Sequence, residues 1–200
     1  HNMVSIKNLC TRVLLMNNGG VEKNGITDDV ISYYLEQYRN INVSQNLENR
    51  TDRQGNAKLK FIKFWFENNN GNKTNALQSG ADCKMLLEIA NTSNENLKEI
   101  RVSIGIDDNQ SRRITLLDNT ITDNNIFFNP QEVKTIVIEI PKLPFQGGQY
   151  FFTLFASENE NIADWVINAG SFEVEYGDFF NTGKIVQTKQ GNFLTKHEFH

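Results

Sequence analysis

From Ala57 onward, apolar side chains recur at every second position, and that period dictates sheets rather than helices. Ile100, Val102, Ile104 and Ile106 alternate with Arg101, Ser103 and Gly105, and Ile136, Ile138 and Ile140 alternate with Thr135, Val137 and Glu139. Successive residues of a strand point to opposite faces, so the pattern buries one face and wets the other. The same reading predicts strands at Lys58–Phe66, Ala81–Ala90, Leu97–Ile106, Arg113–Leu117, Val133–Ile140, Tyr150–Ala156 and Ser171–Tyr176, separated by turns bearing Asn, Gly or Pro. Short strands in this number, joined without long helices, predict an all-β fold, an antiparallel β-sandwich of the jelly-roll or immunoglobulin-like kind. The outer faces of a sandwich stay open, and a ligand would dock there.

Before that region the period differs. Val4, Ile6 and Leu9 fit one short helical face, and Arg12–Met16 is a compact run that ends in the turn signal Asn17-Asn18-Gly19-Gly20. Thr27 suits a helix N-cap, and Val30, Ile31, Tyr34 and Leu35 follow at spacings of three and four. Residues 39–56 hold almost nothing apolar and read as a linker. Three parts result: a short α/β unit over 1–38, the linker over 39–56, and the sandwich over 57–200.

Composition narrows the function. Hydrophobic residues make up 38% of the 200 residues and charged ones 22%, which supports a packed core. The net charge of −4, with lysines and arginines scattered, argues against a nucleic-acid partner, since phosphate neutralisation needs a clustered basic face. Cys10 and Cys83 are too few and too far apart for a disulfide framework or a zinc site, and read as free thiols of a reducing compartment. No apolar run reaches the ~18 residues of a membrane span, and no signal peptide opens the chain. The expectation is a cytoplasmic protein.

The first segment, HNMVSIKNLCTRVLLMNNGGVEKNGITDDVISYYLEQY, resembles the C-terminal end of an ABC-transporter ATPase domain. By that resemblance, His1 stands where the family's switch histidine meets the γ-phosphate of ATP, and Leu9, Cys10 and Arg12 match the segment after the following helix. The chain has no G-x-x-x-x-G-K-[ST] loop, no apolar run ending in Asp-Glu and no Leu-Ser-Gly-Gly signature. One histidine without a phosphate cradle does not hold a nucleotide. This segment is therefore read as a remnant: no cofactor is expected here, and ATP and Mg belong only to a full-length parent.

The second segment resembles the C-terminal domain of Wzt-type subunits, which export O-antigen or related polysaccharides. The residues that carry the likeness are Gly55-Asn56-Ala57-Lys58-Leu59, Ile62, Phe64 and Ser79-Gly80. Further on they are Ile138–Leu143, Gly147–Leu154, Phe172-Glu173-Val174 and Gly183-Lys184-Ile185. The resemblance implies a non-catalytic domain that binds the terminal structure of a polysaccharide and couples it to ATP-driven export. It also implies a homodimer, a transmembrane permease subunit as partner, and a place at the inner face of the bacterial inner membrane. The alternative is a dimerisation module that touches no glycan. The end of the chain, Gly191–His200, departs from the family by lacking its aromatic finish with Trp.

Hydrolytic chemistry finds little support. Asp107, Asp108, Asp118, Asp123 and Asp164 are read as turn acids rather than as a pair flanking a cleft. Apart from His1, the histidines His197 and His200 both lie at the chain's end, too few for a Ser-His-Asp site, and no metal site is expected. Recognition of sugar needs aromatic rings and hydrogen-bonding groups on one surface. With Phe64 and Phe66 inward, Trp65 points out beside Lys63; with Tyr150, Phe152 and Leu154 inward, Phe151, Thr153 and Phe155 point out. Arg101 and Ser103 share the polar face of their strand, and Trp165 precedes the last core strand. These eight residues are the candidate glycan contacts. Their other reading is packing, against the linker, the C-terminal strand or a second protomer.

Overall fold

A computed structural model describes residues 6, 9–17, 19–31, 33–34, 46–186 and 191–199. His1, Val4 and Leu35 lie outside the described residues. Among these residues there are twelve strands: β1 (Arg12–Asn17), β2 (Gly20–Ile26), β3 (Leu59–Asn68), β4 (Lys73–Thr74), β5 (Ala76–Gln78), β6 (Cys83–Asn91), β7 (Leu97–Asp107), β8 (Arg113–Asp118), β9 (Ile126–Phe128), β10 (Val133–Ile140), β11 (Gly148–Glu158) and β12 (Asn161–Glu175).

The N-terminal part is a hairpin of β1 and β2 followed by helical residues 27–31 and 33–34. Thr27 caps that helix differently from expectation: its Oγ1 donates to the Cys10 carbonyl at 2.6 Å, tying the helix to the residues before β1. Val30 and Ile31 are buried as the three- and four-residue spacing predicts.

Two sheets face each other to make the sandwich. One has the order β10-β6-β3-β4; the other has the order β5-β12-β11-β7-β8, with β9 also on β7. Every ladder is antiparallel except the short β5–β12 pair. Phe61, Phe64, Phe66, Met85, Leu87 and Ile89 come from the first sheet and meet Ile100, Val102, Ile104, Ile106, Phe152, Leu154 and Phe172 from the second. Four of the rings form a cluster in which Phe64 lies perpendicular to Phe152 at 4.8 Å, with Phe66 and Phe172 on its flanks. Burying this much apolar surface is what drives the two layers together.

Bulges adjust which residues face the core. A register shift between Phe61 and Lys63 lets both Phe61 and Phe64 point inward although they stand three apart. Glu99, at φ 53, lies within a second shift on β7, which brings Leu97 and Ile100 to the same side.

Two sequence expectations change. The predicted strand Ser171–Tyr176 is the end of a strand that begins at Asn161; its first half carries Asn161, Asp164, Asn168 and Gly170, residues that read as turn chemistry. The expected linker does not run free to residue 56. Leu47 is 1% exposed in the core, its amide donates to the Ile62 carbonyl at 2.7 Å, and Gln54 exchanges two backbone bonds with Trp165. Residues 46–57 thus form a strap that pairs with β3 at Asn46 and Leu47 and with β12 over Gln54–Ala57, beyond the reach of β5. Two arginines hold it, which an apolar count does not register.

Arg53 is the deeper of the two. Its Nη1 donates to Asp164 Oδ2 at 2.9 Å, and Nη2 donates to the carbonyls of Leu47 and Phe61. The Phe61 amide donates to the same Asp164 oxygen at 2.8 Å. Burial pushes the Asp164 carboxyl above the usual range, against the pull of the Phe61 amide and Arg53. Asp164 is therefore a buried structural acid, not a solvated turn residue. Among the described residues no helix is long and apolar enough to cross a membrane.

Candidate functional site

The outer face of the β5-β12-β11-β7-β8 sheet carries the site. Register places Trp165, Phe155, Ser103 and Asp118 directly opposite one another across four strands. The next row is Thr153, Gly105 and Leu116, and the one beyond is Phe151, Asp107 and Arg113. On β7 and β11 these are the odd positions, and the even positions of both strands fill the core. With Arg101, Ile167 and Asn168, all of these residues except Asp118 line an open cavity of about 680 Å³.

Six of the eight residues singled out from the sequence meet here: Arg101, Ser103, Phe151, Thr153, Phe155 and Trp165. Phe155 and Trp165 meet edge to face at 6.2 Å, and the Arg101 guanidinium stands 5.7 Å from the Phe155 ring. Phe151, Ser103 and Thr153 are more buried than an outward position implies.

Trp65 and Lys63 are elsewhere. They lie on the outer face of the other sheet, where Trp65 Nε1 donates to Glu67 at 2.9 Å and Lys73 Nζ sits 4.7 Å above the indole. Lys63 pairs with Glu88 at 3.0 Å. Alternation places a side chain in or out, but it does not say which of two outer faces it joins; that depends on strand order.

Sequence reasoning missed Asp52, Arg113, Leu116, Ile167 and Asn168, and read Asp107 as a turn acid. Asn168 adopts φ 48 inside the β12 bulge, and its amide donates to Thr153 Oγ1 at 3.4 Å. Arg50 of the strap holds the bulge from outside by donating to the carbonyls of Ile167 and Asn168. It also grips both oxygens of Asp52, and those hydrogen bonds keep the Asp52 carboxyl below its ordinary range.

Asp118 anchors the polar end of the first row. Its Oδ2 accepts from Arg101 Nε and Ser103 Oγ, both at 2.7 Å, and its Oδ1 accepts from the Thr120 amide and hydroxyl. Burial alone would raise this carboxyl, yet the bonds from Thr120, Ser103 and Arg101 outweigh it and bring it down to about 2. It therefore stays ionised and has no proton to give, which removes it as a general acid.

The folded value of Asp118 lies below the unfolded one near 3.9. The stabilisation is thus complete above about pH 4 and is lost as pH falls through 2. Arg101 is half exposed, so solvent screens part of the effect and roughly 1–2 kcal/mol is expected. Urea unfolding at a series of pH values should show a shallower acid limb for Asp118→Asn than for wild type. Parallel curves would show that Asp118 titrates normally.

The cysteines do not join the site. Both are free; Cys83 is buried, and burial pushes its thiol up to about 11.

Comparison with known proteins fits this architecture. The sequence profile of the Wzt C-terminal domain matches residues 50–187. The crystal structure of the C-terminal domain of wzt superposes with a TM-score of 0.62 at 14% identity, over 76% of this chain and 89% of that one. At this identity the likeness shows the fold alone. A Bacteroides uniformis β-glucuronidase is 13% identical over 50% of this chain and 12% of its own, with a TM-score of 0.37. A CARDB domain from Pyrococcus furiosus, in complex with di-metal ions, is 13% identical over 58% of this chain and 90% of its own, with a TM-score of 0.33. Neither of these two carries an argument. No curated protein sequence matches the chain. The family match spans more than half of the residues and starts within the strap, so the chain belongs to the Wzt C-terminal domain family, a non-catalytic component of Wzt-type ABC exporters.

Proposed function

We propose that the outer face of the β5-β12-β11-β7-β8 sheet binds the polysaccharide that the exporter carries, so that cargo is held beside the transport machinery. The observation behind this reading is the convergence of Trp165 and Phe155 with Arg101, Ser103 and Thr153 on one open cavity. A sugar ring presents C–H groups on its faces and hydroxyls on its rim. An aromatic pair flanked by hydrogen-bonding groups matches both. On this reading the remaining partners are the permease subunit and a second copy of the chain, at the inner face of the inner membrane.

Trp165 is the largest ring of the face, and its backbone is fixed on one side by Gln54 and on the other by Phe155. Trp165→Ala should weaken binding of the exported polysaccharide about 30-fold by calorimetry, the size of a hot-spot truncation. Unchanged affinity would remove the proposal.

The dimerisation reading has its own observation. Strand β10 is an edge without a bulge and exposes Val133 and Val137. Ultracentrifugation and calorimetry of Trp165→Ala and Val137→Lys separate the two readings. Lost affinity in Trp165→Ala with unchanged association supports the glycan face, whereas lost association in Val137→Lys, with affinity unchanged in Trp165→Ala, supports the dimer.

A further inference from the structure

The cavity holds two arginines whose guanidinium groups are each pinned from behind and open in front. Arg101 gives its Nε to Asp118, and Arg113 gives its Nε to Asp107 at 2.6 Å, with Nη2 at 3.4 Å from the second Asp107 oxygen. Arg101 Nη1 and Nη2, and Arg113 Nη1, donate no hydrogen bond to any described residue. Both side chains remain about half exposed, at 46% and 49%.

Their placement follows from register. The Arg101 guanidinium reaches Asp118, opposite Ser103, while the Arg113 guanidinium lies over the backbone of Gly105. Ser103 and Gly105 are consecutive outward positions of β7, so the two places that the guanidinium groups cover are about 7 Å apart along the strand backbone. Gly105 is what admits Arg113 to the floor. A Cβ there would run into the guanidinium of Arg113, the far end of a flexible side chain, and would push it aside without disturbing the backbone.

The acids of the cavity are already engaged. Asp107 faces Arg113, and Asp52 is held by Arg50. Asp108 accepts from the amides of Gln110 and Arg112, from Arg112 Nε and from Asn192 Nδ2. What the cavity offers unpaired is therefore N–H donors on cationic groups, oriented in advance.

We infer that Arg101 and Arg113 together bind one oxyanion, a carboxylate or a phosphate ester, carried on the saccharide, so that this face selects acidic over neutral glycan. The inference rests on the glycan reading of the same face. Planar guanidinium groups match such oxygens in geometry and charge, and carboxylates behind them keep the donors aimed outward. A neutral sugar would offer only uncharged oxygens to the outward Nη–H donors, whereas an oxyanion gains charge-assisted bonds from both groups at once.

The test uses three probes that share one ring: galactose, galacturonate and galactose 6-phosphate. They are titrated into the full chain at constant ionic strength, with inorganic phosphate as a fourth probe. Nitrogen-15 NMR follows the Nε–H signals of Arg101 and Arg113 and the indole N–H of Trp165. The expected result is that one or both acidic sugars shift all three signals at concentrations at least tenfold below those of galactose, and that added salt weakens them. Whichever acidic sugar acts identifies the oxyanion. If galactose and both acidic sugars act alike on Trp165, the clamp is overturned and the glycan face stands. If inorganic phosphate shifts the arginines while no sugar shifts Trp165, the oxyanion site stands and the glycan face falls. If no probe shifts any signal, both fall.

Gly105→Ala, which displaces Arg113, should abolish the tenfold preference, and Arg113→Gln should do the same by removing the charge. Retention of the preference in both variants overturns the role of Arg113.

Discussion

Asp164→Ala should destabilise the protein by about 3–5 kcal/mol, the cost of removing one member of a buried ion pair. The Arg53 guanidinium would lose its charged partner while still enclosed, and its Nε already has no partner among the described residues. The Phe61 amide would lose its acceptor as well. Arg53→Met should cost less, because burial already favours the protonated form of Asp164 and the carboxyl would neutralise. The sign of the pH dependence is opposite to that of Asp118. An acid whose folded value lies above its unfolded value loses stabilisation as pH rises through that window. Urea unfolding of the two variants checks both statements, and limited proteolysis reports whether residues 46–57 have come away. A change below about 1 kcal/mol for Asp164→Ala would show that the strap is held by its backbone bonds alone.

The consequence reaches the site. Gln54 pairs with Trp165, and Arg50 holds the carbonyls of Ile167 and Asn168. The strap thus fixes one wall of the cavity, and a chain that loses Arg53–Asp164 should bind ligand less well even where the sheet survives.

Alternation made most of this scaffold legible. Ile100 to Ile106 and Tyr150 to Ala156 declare their inner and outer faces without ambiguity, so five of the site residues follow from strands β7 and β11, with Trp165 beside them as the sixth. Four things escaped. Trp65 and Lys63 obey the same alternation on a different sheet, and only strand order separates the two outer faces. Asn161 to Gly170 looks like turn chemistry because one edge of the strand is closed by the strap and its middle bends at Asn168. Arg53 falls in the expected linker and Asp164 among the expected turn acids, since an ion pair more than a hundred residues apart leaves no local trace. Gly105 was noted only as a polar-face residue; its meaning depends on a guanidinium that arrives from the neighbouring strand.

Phe152→Ala should be the other severe change, again about 3–5 kcal/mol, and it tests the assignment of faces directly. Phe152 is 0% exposed, with Phe64 at 4.8 Å, Phe66 at 6.0 Å and Phe172 at 6.5 Å. The surroundings have little freedom to collapse into the space left behind. Gly170 has both the Phe64 and Phe152 rings where its own side chain would be, so that stretch of β12 is already pressed against the cluster. The upper half of the range is therefore expected, a fall in the unfolding midpoint of roughly 10 °C for a domain of this size. Phe155, three residues along, sits on the opposite face and is only partly buried. Its replacement by Ala should cost about 1 kcal/mol of stability while weakening ligand binding. One strand thus carries two kinds of ring, the inner for cohesion and the outer for recognition. If Phe155→Ala proved the more destabilising of the two, the core would lie on the face assigned here to the ligand.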